Sequence, residues 1–132
     1  FGTAVTIDLV DANGVFLGGV IWPGFEISAQ ALKDNTAQLP KVTVHRPEGP
    51  YGKNTADAIN CGLYYSVIGA MEEIIRRYAE EIGHWPQTII TGSGAKTIVD
   101  DCPFVDNHVP NLVLKGIVLA YMKYIETKSE TV

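Results

Sequence analysis

The chain has 132 residues, enough for one domain with a hydrophobic core, and its 46% hydrophobic and 19% charged residues are a globular balance. Fifteen acidic against ten basic residues give a formal net charge of −5, which disfavours a nucleic-acid partner or an anionic membrane surface. No apolar run reaches the roughly 18 to 20 residues of a membrane span, and two cysteines without ligand-like spacing predict a reduced cytoplasmic setting with no disulfide framework or zinc site.

The first third of the sequence predicts a hairpin followed by a helix. Val5, Ile7 and Leu9 alternate with small or polar residues, as in a half-buried strand. Asn13-Gly14 is favoured in type I′ turns and predicts an antiparallel return strand, which Pro23-Gly24 ends. The predicted elements are strands over 4–10 and 15–22, a helix over 25–35 and a short strand at 42–44.

The remaining sequence predicts one long helix and then strand–helix units. Asn54 is suited to cap the long helix, with Asp57 in the capping-box position, and Gly83 is suited to its C-terminus. The predicted elements are a Pro/Gly-rich loop over 45–53, a helix over 55–82, a strand at 88–90, a short helix over 95–100, an edge strand at 104–105 and a final helix from 110. The final helix is expected to bury a stripe made of Leu114, Ile117, Val118, Tyr121, Met122 and Ile125.

This order of strands and helices predicts an α/β domain. We expect the domain to cover residues 1–126 and the polar residues 127–132 to form a frayed tail. The chain starts at Phe1, inside a strand-like motif, and we therefore expect it to be one lobe of a longer protein.

Three short motifs carry residues suited to ligand contact. Gly2 and Thr3 precede the first strand, where a small residue and a hydroxyl let backbone N–H groups approach a phosphate, although ordinary hairpins also begin this way. Thr91-Gly92-Ser93-Gly94 follows a buried strand and opens a helix, a geometry in which free N–H groups face a nucleotide. Thr55 lies at the start of the long helix, where Asn54 by itself explains a simple cap.

Five motifs in a fixed order make the chain resemble the type III pantothenate kinases, which belong to the superfamily of acetate and sugar kinases, Hsp70 and actin. The motifs are Gly-Thr-Ala-x-Thr-x-Asp, Gly-Gly-x-Ile-x-Pro-Gly, Thr-Ala-x-Leu-Pro, Gly-x-Asn-Thr and Thr-Gly-x-Gly, at residues 2–8, 18–24, 36–40, 52–55 and 91–94. The resemblance implies a ribonuclease-H-like, actin-like ATPase lobe, the C-terminal lobe of a two-lobed kinase. Its mixed sheet would have about four to five strands flanked by helices.

The resemblance also implies a role for particular residues. It implies that Thr55 hydrogen-bonds pantothenate, often in the neighbouring protomer's site, and it therefore implies a homodimer. The residues implied to bind ATP are Gly2 and Thr3 on the triphosphate, and Thr91, Gly92 and Gly94 on the adenosine side. The implied activity is ATP-dependent phosphorylation of pantothenate to 4′-phosphopantothenate, the first step of coenzyme A biosynthesis.

Other parts of the family's site fall outside this sequence. The family places a cation-binding aspartate two residues before the glycine, a position that precedes Phe1, and it takes its catalytic aspartate from the N-terminal lobe. We therefore assign no catalytic and no metal-binding residue here and expect this lobe to be inactive alone. With ATP as substrate, the resemblance implies Mg²⁺ and a monovalent cation, K⁺ or NH₄⁺.

Two other functions remain open. The first is a non-catalytic, nucleotide-binding regulatory or accessory protein of the same fold. The second is a ribonuclease-H-like nuclease, which needs several converging carboxylates, and Asp8 is the one strand carboxylate placed for that. Residues with weaker claims to the site are Lys53, which suits a solvent-facing loop, and Asp100, Asp101 and Asp106, which suit a solvated acidic edge.

Overall fold

The hairpin, the long helix and two short strands define the architecture in a computed structural model, which describes residues 1–129. In chain order the elements are β1 (Ala4–Val10), β2 (Phe16–Pro23), α1 (Phe25–Asp34), α2 (Thr55–Ile82), β3 (Ile89–Ile90), α3 (Ala95–Ile98), a 3₁₀ turn (Val99–Asp101), β4 (Asn107–His108) and α4 (Leu112–Ser129). This is a mixed α/β domain, as the sequence predicts.

Strands β1 and β2 pair antiparallel, with Val5 opposite Trp22. Val5 is buried and the two other alternating residues of β1 are half-buried, so the predicted inner face is confirmed. The predicted type I′ turn is wrong, because Gly14 has a positive φ of 80° and Asn13 does not. The Asp11 carboxylate instead accepts N–H bonds from Asn13 and Val15, both at 2.8 Å, and so stabilises a three-residue loop with glycine in the left-handed position.

Helix α2 begins and ends where the sequence predicts. The Asn54 side chain accepts a hydrogen bond from the Asp57 N–H at 3.0 Å, which satisfies one of the free donors of the first turn. At the other end Gly83 adopts the left-handed conformation, with φ 79°, and its N–H donates to the carbonyl of Ala79. These local signals set both ends of the 28-residue helix.

The apolar face of α2 packs on the segment that contains β3 and α3. Tyr64 is 1% exposed and Ile98 is fully buried, and both belong to one cluster. The buried members of this core are Tyr64, Val67, Met71, Ile90, Ala95, Ile98 and Cys102. Because α3 follows the 91–94 turn directly, this core fixes the position of that turn against α2.

The expected sheet of four to five strands is absent from residues 1–129. The described strands form two separate two-stranded sheets, β1 with β2 and β3 with β4 in parallel. Residues 42–44 join no ladder, and the edge strand forms at Asn107–His108 and not at the predicted 104–105. Strand pairing depends on contacts far apart in the sequence, and the local pattern that marked residues 42–44 did not specify a partner.

Helix α4 does not bury the predicted stripe. Ile117 is 59% exposed and Met122 56% exposed, and every side chain from Asn111 to Lys128 is exposed. The periodicity identified the apolar positions, but it does not show that a surface exists to cover them. The helix also extends through residues 127–129, the first part of the predicted frayed tail, whereas 130–132 lie outside the described residues. Within the described part of the chain, no helix meets the length and hydropathy needed to cross a membrane.

Candidate functional site

The N-terminal turn and the 91–94 turn lie against each other. The backbone nitrogen of Phe1 donates to the carbonyl of Thr91 at 2.7 Å, across a sequence separation of 90 residues. The N–H of Gly94 donates to the carbonyl of Phe1 at 3.1 Å. These two bonds bring together the two segments that the sequence predicts to contact ATP.

Gly92 is required at this junction. Its φ is 102°, a conformation that side chains with a Cβ rarely adopt, and a Cβ built there would overlap the carbonyl group of Phe1. Gly94 packs against the Phe1 ring, whose atoms would lie 3.3 Å from an added Cβ. The glycines of the 91–94 turn therefore have a structural role, close approach of two backbone segments, in addition to any contact with a ligand.

A cavity of about 660 Å³ opens beside this junction. Three of the five residues predicted to bind ATP line it, namely Gly2, Thr91 and Gly92. The other lining residues are Phe1, Thr6, Ser93, Lys96, His108, Pro110, Asn111, Val113 and Leu114. An exposed glycine backbone beside a lysine is suited to binding a phosphate group.

The other two predicted ATP residues lie at the edge of this arrangement. Thr3 is exposed, and its carbonyl accepts a hydrogen bond from the Gly24 N–H at 2.9 Å. A Cβ on Gly24 would collide with the carbonyls of Gly2 and Thr3. The motif that ends at Gly24 therefore packs directly against the N-terminal turn. Gly94 packs under Phe1 and does not line the cavity.

The predicted substrate residue Thr55 lies apart from this cavity. It is the first residue of α2 and is exposed. A second cavity, of about 630 Å³, lies between the 45–53 loop and the start of α2, and Lys53 and Asn60 are among its lining residues. Thr55 lines neither of these two cavities. Within one copy of the chain, then, three of the five residues predicted to bind ATP line one cavity and Thr55 does not.

Sequence reasoning missed several residues that the fold places at the site. Lys96, His108 and Asn111 line the first cavity. Lys96 is two residues beyond the Thr-Gly-x-Gly motif, so its proximity to the motif was the available signal. His108 and Asn111 reach the cavity only through the pairing of β4 with β3, which no local pattern specifies.

The sequence predicted that Asp101 lies on a solvated acidic edge, and this prediction is wrong because Asp101 binds two other side chains. Arg46 Nε donates to Asp101 Oδ2 at 2.9 Å, and a second guanidinium nitrogen pairs with Oδ1. The Tyr64 hydroxyl lies 2.6 Å from the same Oδ2. The Tyr64 bond and then the Arg46 guanidinium lower the pKa of the Asp101 carboxyl, while burial and this hydrogen bond raise the pKa of Tyr64.

Cation ligands are sparse in the described part of the chain. Within residues 1–129 no group of three or more His, Cys, Asp or Glu side chains could hold a metal ion. Asp8 is exposed on β1. Burial raises the pKa of the Cys102 thiol to about 11, so this cysteine stays protonated at neutral pH.

Known proteins share both the sequence and the fold. A family model described as type III pantothenate kinase matches residues 1–77. Curated relatives with that name come from Agathobacter rectalis, 42% identical over 124 residues, Acidothermus cellulolyticus, 41% over 125, and Parafrankia sp., 39% over 128. These matches cover 93%, 95% and 97% of this chain, which spans about half the length of each relative (48%, 49% and 51%).

A crystal structure of a protein from Campylobacter jejuni, described as a Baf family transcriptional activator, has a similar fold. The TM-score is 0.64 at 19% identity, and the match covers 99% of this chain and 56% of the other. Identity this low shows likeness of fold alone. The family model matches more than half of the residues, in the region that carries the first four motifs. The chain belongs to the type III pantothenate kinase family.

Proposed function

We propose that this chain is the C-terminal lobe of a kinase that transfers the γ-phosphate of ATP to pantothenate. The product is 4′-phosphopantothenate, and the reaction is the first step of coenzyme A biosynthesis, in the cytoplasm. The observation that carries this proposal is the convergence of Gly2 with the Thr91-Gly92 turn on one cavity, in a chain of this family.

The cavity supports the assignment of ATP. Gly2 offers backbone to the cavity, and Lys96, which also lines it, supplies a positive charge. A point charge and backbone dipoles together can bind a phosphate group without a basic surface, which suits a chain of net charge −5. We assign the triphosphate to Gly2 and Thr3, and the adenosine to the turn containing Thr91, Gly92 and Gly94.

We also propose that this domain is a ribonuclease-H-like lobe. In a ribonuclease-H-like lobe the two ladders would join into one mixed sheet, in the order β2-β1-β3-β4. A cavity of about 390 Å³ supports this arrangement, because residues 5–10 of β1 face residues 86–91 across it. Phe1 and Thr91 are already hydrogen-bonded at one end of this gap. Pairing along the rest of β1 would complete the sheet.

We further propose a homodimer in which Thr55 serves the neighbouring protomer's site. The support is geometric, since Thr55 is exposed at the start of α2 and does not line the cavity that Gly2 and Gly92 share. A hydroxyl in this position is free to contact a polar substrate held by a second copy. Asn54 caps the helix independently, so the two roles do not compete.

The implied cations are not assigned to residues of this chain. Mg²⁺ would neutralise the phosphates of ATP and a monovalent cation, K⁺ or NH₄⁺, would support the site. Within residues 1–129 no group of three or more His, Cys, Asp or Glu side chains is available to either ion. The general base is likewise not assigned here, and the steps derived from this chain are binding and orientation.

The test is an assay of ATP consumption by the complete gene product. With the proposed function, ADP release requires pantothenate, and mass spectrometry detects 4′-phosphopantothenate. Residues 1–132 alone are expected to show no turnover. ATP binding without pantothenate-dependent turnover would instead support the accessory function, and failure to bind ATP would overturn both.

A further inference from the structure

We propose that Asp101 is a positioning residue that holds the 45–53 loop at a fixed orientation to α2 and to the segment that follows the 91–94 turn. It does so by binding Arg46 and Tyr64 with one carboxylate. This inference rests on the proposed function, because the loop leads to Thr55, which that function places against pantothenate in the neighbouring protomer's site.

The carboxylate joins three segments of the chain. Arg46 belongs to the 45–53 loop, Tyr64 to α2, and Asp101 to the 3₁₀ turn that ends the segment after Gly94. Both oxygens of Asp101 accept from the guanidinium, a two-point contact that fixes direction as well as distance. Arg46 and Asp101 are 55 residues apart, so the contact acts between elements and not within one.

The Tyr64 hydroxyl completes the arrangement. It lies 2.6 Å from Asp101 Oδ2 and 3.1 Å from the carbonyl of Thr97. A hydroxyl has one proton, and the shorter, charge-assisted bond to the carboxylate takes it. Tyr64 is 1% exposed, so this bond is fixed by the core. The helix and the core therefore determine where Asp101 presents its two oxygens to Arg46.

The 45–53 loop is tied to α2 at its other contacts. The backbone N–H of His45 donates to Asn60 Oδ1 at 2.9 Å. The carbonyl of Gly49 accepts from the Tyr65 hydroxyl at 3.2 Å and faces the Cys61 thiol at 3.6 Å. These contacts hold the loop on the helix, whereas the Arg46–Asp101 pair connects it to the segment that follows the 91–94 turn.

The exposure of the pair indicates a geometric role. The Arg46 side chain is 63% exposed and that of Asp101 26%, so solvent screens much of their attraction. A two-point contact of this kind contributes modestly to global stability yet restricts the orientation of the loop. Loss of the pair should therefore affect reaction geometry more than folding.

The experiment measures steady-state kinetics of the complete gene product and its Asp101→Asn variant. The asparagine keeps the shape but places an amide where Arg46 needs an acceptor. We expect kcat/KM for pantothenate to fall about tenfold, because small misplacements of reacting groups carry large rate costs. The KM for ATP should change less than about twofold, since the 91–94 turn is untouched. The double variant Arg46→Met, Asp101→Asn should lose no more kcat/KM for pantothenate than Asp101→Asn alone.

Glu73→Gln is the matched control. Glu73 makes ion pairs with Arg76 and Arg77 on the exposed face of α2, so the substitution removes a comparable carboxylate away from both cavities. Its kinetic constants should equal those of the unsubstituted protein. If Asp101→Asn lowers the melting temperature and leaves the kinetic constants unchanged, Asp101 is merely structural and the proposal is overturned. Should that variant fail to fold, Tyr64→Phe, which removes one hydroxyl, is measured instead. We again expect kcat/KM for pantothenate to fall while the KM for ATP changes little.

A second measurement separates this inference from the proposed function. If the unsubstituted gene product does not phosphorylate pantothenate, the proposed function fails, and amide hydrogen exchange of residues 45–53 then decides the role of Asp101. Exchange in that loop about tenfold faster in Asp101→Asn, with exchange in α2 unchanged, supports the positioning role. Equal exchange in the loop contradicts it.

Discussion

At the scale of single residues, the glycines of the motifs act first through backbone approach. Gly92 admits the carbonyl of Phe1, and Gly24 admits those of Gly2 and Thr3. The sequence marked Gly92 for ligand contact and Gly24 as the end of a strand, whereas their close backbone partners lie on other segments and were not predicted. The partner of Asp101 could not be predicted, because Arg46 and Tyr64 are 55 and 37 residues away and no spacing connects them.

Gly92→Ala should destabilise the fold by about 1–3 kcal/mol, since it adds a Cβ at a positive φ and against the Phe1 carbonyl. Urea unfolding measures the change. Gly69→Ala is the control, because Gly69 is exposed in the interior of α2 with open space around its Cα. There the added methyl should stabilise by about 0.5–1 kcal/mol. Equal effects of the two substitutions would contradict the assigned geometry.

Lys96→Gln should weaken ATP binding by the complete gene product about tenfold, through loss of a charge-assisted contact to phosphate. Isothermal titration calorimetry measures the Kd. Lys33→Gln removes an equally exposed lysine in the last turn of α1 and should leave the Kd unchanged. If both variants bind ATP as the unsubstituted protein does, Lys96 does not face the nucleotide.

Ionisation of the Asp101 carboxyl should make the free energy of unfolding depend on pH in the acid range. Its hydrogen bond from Tyr64 and its pairing with Arg46 hold its folded-state pKa below the ordinary 3.8. The stabilisation from the ionised group is therefore complete above that pH and declines as pH falls through the lowered pKa. Urea unfolding at pH 7 and pH 3 measures the free energy of unfolding of the unsubstituted protein and of Asp101→Asn. The difference between the two proteins should be smaller at pH 3. A difference that is larger there would contradict the pairing.

At the scale of elements, prediction succeeded where the signals are local. Helix α2 carries both of its caps in the sequence and β1 carries its alternation, and both form at the predicted residues. The pairing of strands and the burial of a helix face depend on residues far away in the sequence. The predicted strand at 42–44 and the predicted buried stripe of α4 were therefore wrong. The same limit explains why His108, on β4, was not placed at the site.

Asn54→Ala should destabilise the domain by about 1 kcal/mol, because the Asp57 N–H loses its acceptor. Asn54→Asp keeps an acceptor at the same position and should retain most of the stability. Thermal unfolding followed by circular dichroism compares the two. Similar losses in both variants would show that the cap does not stabilise α2.

At the scale of the whole molecule, three of the residues predicted to bind ATP line a cavity that Thr55, the predicted substrate residue, does not line. The chain spans about half the length of its relatives, and the apolar side chains of α4 lie exposed. A homodimer would bring Thr55 of one copy to the nucleotide cavity of the other, and this arrangement predicts complementation.

At ATP concentrations well below the Kd of the Lys96→Gln variant, mixing Thr55→Ala and Lys96→Gln variants should give more activity than either variant alone. A mixed dimer contains one site with both substitutions and one site with neither. If subunits exchange at random, half of the dimers are mixed, and activity should approach roughly a quarter of the unsubstituted value. Activity equal to the mean of the two single variants would show that Thr55 acts within its own protomer.

The most direct test of the central claim is a crystal structure of the complete gene product with a non-hydrolysable ATP analogue. The account predicts the triphosphate beside Gly2 and Thr3, with Lys96 within reach of a phosphate oxygen, and the adenosine along the 91–94 turn. An analogue bound at a different surface, with the cavity between these two turns empty, would contradict it.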